Sequence, residues 1–128
     1  MLDPDKPVKR RFVYDFHDMP KEATLGTLST SQGSSFNGER IYCGLVTKQR
    51  GTGSKPHYHP DETFNYVLEG TLKVSMDGQE FLVPKGQLLH IPPNLVHTAV
   101  ATDEADAVYL VWRDKASEKL GKPVTIQA

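Results

Sequence analysis

GTGSKPHYHPDETFNYVLEG (residues 51–70) and GQEFLVPKGQLLHIPPNLVH (residues 78–97) decide how this chain is read. In the first, His57 and His59 stand two apart, and on an extended strand residues at i and i+2 project from one face. Two imidazoles so placed offer adjacent ligand positions to a metal ion, and His97, at the end of the second stretch, brings a third from another strand. The two stretches meet at a hairpin. TLKVSM (71–76) is followed by Asp77-Gly78 and then QEFLV (79–83), and Asp-Gly supplies the positive φ angles of a tight type I′ turn. Leu72, Val74 and Met76 alternate with Thr71, Lys73 and Ser75, which predicts one buried and one wet face.

Outward from this hairpin the same rhythm continues. Pro84 to Gly86 predicts a turn, LLHI (88–91) a strand, and Pro92-Pro93-Asn94 a second turn that delivers His97. AVYLVW (107–112) predicts a closing strand, and RIYCGLV (40–46) a strand leading into the first histidine pair. Residues 18–38, rich in Ser, Thr and Gly, are expected to form loop or irregular edge strand. DKASEKLGKPVTIQA (114–128) has the composition for one or two helical turns ending at Gly121. Many short strands and no long amphipathic helix predict an all-β sandwich or barrel. With 128 residues the chain has room for one core, hence a single domain. Within it, 1–38 is expected to form an N-terminal arm with edge strands, 39–113 the barrel core, and 114–128 a C-terminal tail.

From Gly51 through His57 and His59 to Gly70, and from Gly78 through Pro84 and Gly86 to His97, the chain resembles the two motifs of the cupin superfamily. The resemblance implies a jelly-roll β-barrel bearing one metal ion. One position departs from the pattern. Cupins usually carry Glu or Gln four residues after the second histidine, where this chain has Thr63. The adjacent carboxylate, Glu62, points away from the histidines on a regular strand. Three arrangements follow: a three-histidine site, a Glu62 ligand turned inward by a bulge, or a degenerate site that binds metal weakly. Small cupins are commonly dimers, so the resemblance also implies a homodimer. Strand parity agrees, because Phe64, Tyr66 and Leu68 fall on the outer face and need a cover from the N-terminal segment or a second subunit.

The candidate metal ligands are therefore His57, His59 and His97, holding one divalent transition metal per subunit. Fe(II) is favoured because, among cupins, three-histidine sites are associated with dioxygenases; Zn, Ni, Cu and Mn also suit imidazole. Glu62 and His90 are the candidate proton carriers, His90 having also the plainer reading of a hydrogen-bonded structural residue. Thr63 and Asn65 share the inward parity and are candidate substrate contacts. Tyr109 and Trp112 have opposite parity, so at most one lines the interior. Cys43 reads as a small buried hydrophobe, and His17 suggests no role. The expected function is an Fe(II) three-histidine dioxygenase acting on a small, chelating, anionic substrate. A metal-dependent isomerase, lyase or decarboxylase is the alternative, or a small-molecule-binding cupin without catalysis.

Composition removes other classes. Lys and Arg total 15 against 16 Asp and Glu, so no basic footprint for nucleic acid or anionic membrane stands out. No apolar run has the length of a signal peptide or a membrane helix, and a lone cysteine fits a reducing compartment, so a cytoplasmic protein is expected. P-loop, dinucleotide fingerprint, nucleophile elbow and Cys-x-x-Cys are all missing.

Overall fold

Apolar residues at every second position build a succession of short antiparallel strands. The computed structural model describes residues 12–25, 28–115 and 122–123. Within these lie β1 (Glu22–Ala23), β2 (Gln32–Asn37), β3 (Ile41–Lys48), β4 (His57–Tyr58), β5 (Thr63–Glu69), β6 (Thr71–Met76), β7 (Gln79–Pro84), β8 (Leu88–Ile91), β9 (His97–Ala101), β10 (Ala107–Asp114) and β11 (Lys122–Pro123). A 3₁₀ turn, Phe16–Asp18, is capped by the Asp15 side chain. No helix among the described residues is long and apolar enough to cross a membrane.

Two sheets result, in the order β1-β2-β3-β10-β5-β8 and β11-β4-β9-β6-β7. This is the all-β architecture expected from the strand pattern, in the jelly-roll form that the cupin resemblance implies. Asp77 and Gly78 turn the β6–β7 hairpin with φ of 55° and 70°, as a type I′ turn requires. The expected strands over 40–46 and 107–112 form, but each runs further, to Lys48 and Asp114. The span 18–38 holds β1, at the edge of the six-stranded sheet, and β2 beside it. The helical turns expected within 114–128 fall largely outside the described residues, apart from β11.

The inner faces of the sheets enclose a core of Val46, Val67, Leu72, Val74, Val83, Leu89, Ile91, Ala99, Ala101, Ala107 and Tyr109. Along several strands this interior changes character in one direction. On β5 the inward residues run Thr63, Asn65, Val67; on β9, His97, Ala99, Ala101; on β10, read backwards, Arg113, Val111, Tyr109, Ala107. In-register pairing aligns the gradients: Arg113 stands opposite Thr63, Val111 opposite Asn65, and Met76 opposite His97. One end of the barrel is thus apolar and tightly filled, and the other is polar.

The connection from β3 to β4 is pressed against β9. A Cβ on Gly53 would run into the Ala99 carbonyl and the Val100 backbone, so only glycine lets the chain pass there. That passage sets Ser54 against Ala99, with Ser54 N–H donating to the Ala99 carbonyl at 3.0 Å and the Ser54 hydroxyl accepting from Ala99 N–H at 2.8 Å. The histidines follow three and five residues later.

Candidate metal centre

Extended backbone through His57 and His59 turns both rings inward, and β4 pairs with β9 so that His57 faces His97 directly. The strand breaks after Tyr58, at Pro60, yet the alternation persists: positions 57, 59, 61, 63, 65 and 67 are all buried. Asn94, held at φ 63° in the turn before His97, donates its N–H to the His59 carbonyl at 2.8 Å and ties the two histidine-bearing segments together. The ligand atoms of His57, His59 and His97 all lie within 4.8 Å of one another, and all three residues are buried.

The tautomers follow from the hydrogen bonds. Each Nδ1 faces a carbonyl oxygen, which can only accept: Lys55 O at 2.6 Å from His57, Leu95 O at 2.9 Å from His97, and Asp61 O at 3.3 Å from His59. Nδ1 therefore carries the proton in each ring, and the Nε2 lone pairs are left for another partner. His57 Nε2 is buried with no hydrogen-bond partner, although the residue is only 1% exposed. An orphaned acceptor among converging acceptors fits a divalent cation. Burial keeps the His57 and His97 rings neutral, lowering the pKa of His57 and pushing that of His97 down to about 4; backbone hydrogen bonds oppose the effect without cancelling it. A neutral imidazole is the form that ligates metal.

Around the cluster lies a cavity of about 60 Å³, enough for several waters. Thr63 and Asn65 both line it, Asn65 with a buried Oδ1 that has no hydrogen-bond partner. Tyr109 lines it too, its phenol pushed far above the usual range by burial, while Trp112 stacks on Phe64 on the other side of the sheet. Glu62 and His90 are brought together, but with each other and not with the histidines. Glu62 Oε2 lies 2.8 Å from His90 Nε2 on the outer face, where His90 stacks on Phe64. The pairing of Thr63 with Ile91 and Phe64 with His90 is regular, so no bulge turns Glu62 inward. Cys43 is half-buried, with its thiol pKa raised by burial, and His17 is exposed.

Three groups at the site escaped the sequence reading: Asp61, its partner Arg113, and Lys48. Asp61 is a buried carboxylate two residues after His59, on the same inward parity. Its Oδ1 lies 3.2 Å from His59 Nδ1 but outside hydrogen-bond geometry; its Oδ2 accepts the Thr63 hydroxyl at 3.2 Å and pairs with Arg113 Nε at 3.5 Å. Burial raises the Asp61 pKa, but His59 and Arg113 outweigh it and the net shift is downward. Lys48, at the end of β3, is 3% exposed, lines the cavity and donates to the Ala99 carbonyl at 2.8 Å. Burial lowers its pKa to about 7. Parity carried two residues past the expected end of β3 points to it.

A two-sheeted antiparallel barrel with three buried histidines converging on its inner wall defines a class: small β-barrel proteins with a candidate metal centre. The chain belongs to the cupin family, whose Cupin domain model matches residues 44–113, more than half of its length. It is 38% identical over 71 residues to the polyketide synthase CurC of Streptomyces cyaneus, covering 53% of this chain and 46% of that protein. It is 29% identical over 115 residues to the quercetin 2,3-dioxygenase of Bacillus subtilis (strain 168), covering 76% of this chain and 34% of that protein. The chain thus spans less than half the length of these relatives. The solved structure of the polyketide cyclase RemF from Streptomyces resistomycificus superposes with a TM-score of 0.79 at 17% identity, covering 92% of this chain and 88% of that one, which shows the shared fold.

Two predictions follow from the geometry. Asp61→Asn should weaken zinc binding by about 10–100-fold, since an outer carboxylate beside a ligating imidazole strengthens and orients it; calorimetric titration reads this, with circular dichroism to establish that the fold persists. In the metal-free protein, His57 and His97 have lower pKa values folded than unfolded, so the unfolded chain binds more protons between about pH 6.5 and 4. Their contribution is fully present above pH 6.5 and is lost as pH falls through that window, by up to about 3 kcal/mol for His97. Urea denaturation across the range should show the decline, and His97→Asn should flatten it.

Proposed function

We propose that this protein is a mononuclear metalloenzyme in which His57, His59 and His97 hold Fe(II), and that it acts as a dioxygenase on a small, chelating, anionic substrate. The observation that carries the reading is the convergence of three Nε2 lone pairs in a cavity with no acidic residue among those lining it. Three neutral imidazoles leave a divalent ion its full charge, which favours enolates, carboxylates or catecholates as partners. Bound there, iron supplies the one-electron and dioxygen chemistry that amino-acid side chains lack. The chain's own residues would position the substrate. Asn65 Oδ1, buried and unpartnered, would accept a hydrogen bond from a substrate hydroxyl, and Thr63 packs beside it with its hydroxyl turned to Asp61. Likeness to a quercetin 2,3-dioxygenase supports the oxidative branch.

Likeness to a polyketide synthase, together with the shared fold of a polyketide cyclase, favours a second, non-oxidative reading. There the metal acts as a Lewis acid on a carbonyl and no dioxygen is consumed. Lone, half-buried Cys43 suits a cytoplasmic setting under either reading.

Elemental analysis of protein purified anaerobically is the first test. The expected result is near-stoichiometric iron, lost when His57, His59 and His97 are all changed to Ala, with oxygen uptake only in the presence of Fe(II) and a diketone, thiol or hydroxylated aromatic acid. Full turnover in anaerobic buffer, or with Zn²⁺ alone, would move the assignment to Lewis-acid chemistry; no metal even after reconstitution would leave a binding module.

We also propose a homodimer formed through the outer face of the six-stranded sheet, where Tyr66, Leu88 and Ile41 are exposed beside half-buried Phe64, Leu68 and Trp112. Light scattering on a size-exclusion column should give twice the chain mass, and a clean monomer would refute this.

A further inference from the structure

Lys48 sits where neither packing nor metal ligation calls for a charge. It stands opposite Ala107 in the β3–β10 register, so its stem rises from the apolar end of the barrel and its amine lines the cavity that holds the histidines. It is close enough to His57 and His97 for its charge to act on both rings. Among the described residues no carboxylate lies within ion-pairing distance of its Nζ. Arg113, the other cation lining the cavity, is engaged by Asp61 and lies over the Tyr42 ring at 4.4 Å. Lys48 is therefore a buried amine without a counter-ion; beside its hydrogen bond stands the Tyr109 ring, with Nζ 5.6 Å from the centroid, and a desolvated charge is costly to hold on so little.

Its one hydrogen bond does not account for it. The Ala99 carbonyl that accepts from Lys48 also accepts from Ser54 N–H at 3.0 Å and from the Ser54 hydroxyl at 3.3 Å. Removing the amine leaves no acceptor orphaned. A methionine of similar length would fill the space without a desolvated charge. An ammonium has three donors, and Ala99 takes one.

We propose that Lys48 is a substrate-anchoring residue whose amine holds an anionic oxygen of a substrate chelated at the three histidines: a carboxylate, an enolate or a catecholate. The inference rests on the metal-centre reading above and deepens it, because it places a second positive group on the inner side of the bound anion. At a buried cavity wall, a charge-assisted hydrogen bond is both strong and selective.

The test uses cobalt(II)-loaded protein under anaerobic conditions, wild type beside Lys48→Met, titrated with 4-nitrocatechol as an anionic bidentate probe and with imidazole as a neutral metal ligand. Both are followed by the visible spectrum. K48M is expected to keep stoichiometric cobalt, to bind imidazole as the wild type does, to bind 4-nitrocatechol at least tenfold more weakly, and to melt at or above the wild-type temperature. Equal 4-nitrocatechol affinity in a cobalt-bearing K48M would overturn the anchor while leaving the metal centre intact. So would a lowered melting temperature with both probes equally impaired, which would make Lys48 structural, or a cobalt-bearing wild type that ignores 4-nitrocatechol. A wild type that holds no cobalt would overturn the metal-centre reading itself, and the anchor with it. Should K48M fail to fold, Lys48→Gln carries the same comparison.

Discussion

Three hydrogen bonds, from Nδ1 of His57, His59 and His97 to main-chain carbonyls two residues away, fix everything that follows at this site. Each bond needs the backbone on its side of the ring to be extended, so the ligand set is built into strands and strand ends. The β4–β9 pairing then sets His57 against His97, and the Asn94 N–H holds the His59 segment in place. An ion arriving here meets imidazoles already in the right tautomer and already immobilised. Little rotamer freedom remains to be lost on binding, so more of the ligation energy appears as affinity.

The same arrangement explains how the site manages without the carboxylate that the cupin pattern usually supplies. Thr63 occupies that position and donates its hydroxyl to Asp61 Oδ2. Asp61 in turn stands beside His59 and pairs with Arg113. A negative charge has thus been kept near the cluster but moved one layer out, where it orients and polarises an imidazole instead of neutralising an ion. Arg113 cancels part of it. The inner wall keeps its positive bias, and the proposed substrate class rests on that bias more than on the shape of the fold.

Much of this was legible in the sequence, and the misses share one physical cause. Period-two alternation, the Asp77-Gly78 turn and the proline turns located the central strands, because burying one face of a sheet makes register visible in residue type. Parity alone placed Thr63 and Asn65 inward and Glu62 outward. Asp61 escaped because Pro60 interrupts the strand, and extended alternation is not expected to survive such a break. Here it does, since the flanking inward residues pin the segment from both sides. Lys48 and Arg113 escaped because a charged residue at the end of an apolar run reads as the strand's exit into water. What carries them inward is tertiary: the barrel's polar end, assembled from strands distant in sequence, gives long cationic side chains somewhere to go.

Buried polar atoms without partners are few in native proteins, and their placement here is informative. Among the described residues three buried side-chain atoms lack a hydrogen bond: His57 Nε2 and Asn65 Oδ1 belong to residues lining the cavity, and Asp61 Oδ1 lies 3.2 Å from a histidine that does. The Lys48 amine, which has no counter-ion among the described residues, lines the same space. The apolar end of the barrel, by contrast, is closed by Val67, Leu72, Ala101 and Ala107, each fully buried. A chain selected for stability alone would fill the polar end in the same way. Concentrating the destabilising groups in one cavity, against an interior otherwise packed with valine, leucine and alanine, is what a binding site demands. Under the proposed function, the stability forgone in the free protein would return when a cation and an anionic oxygen together satisfied the atoms that the fold leaves waiting.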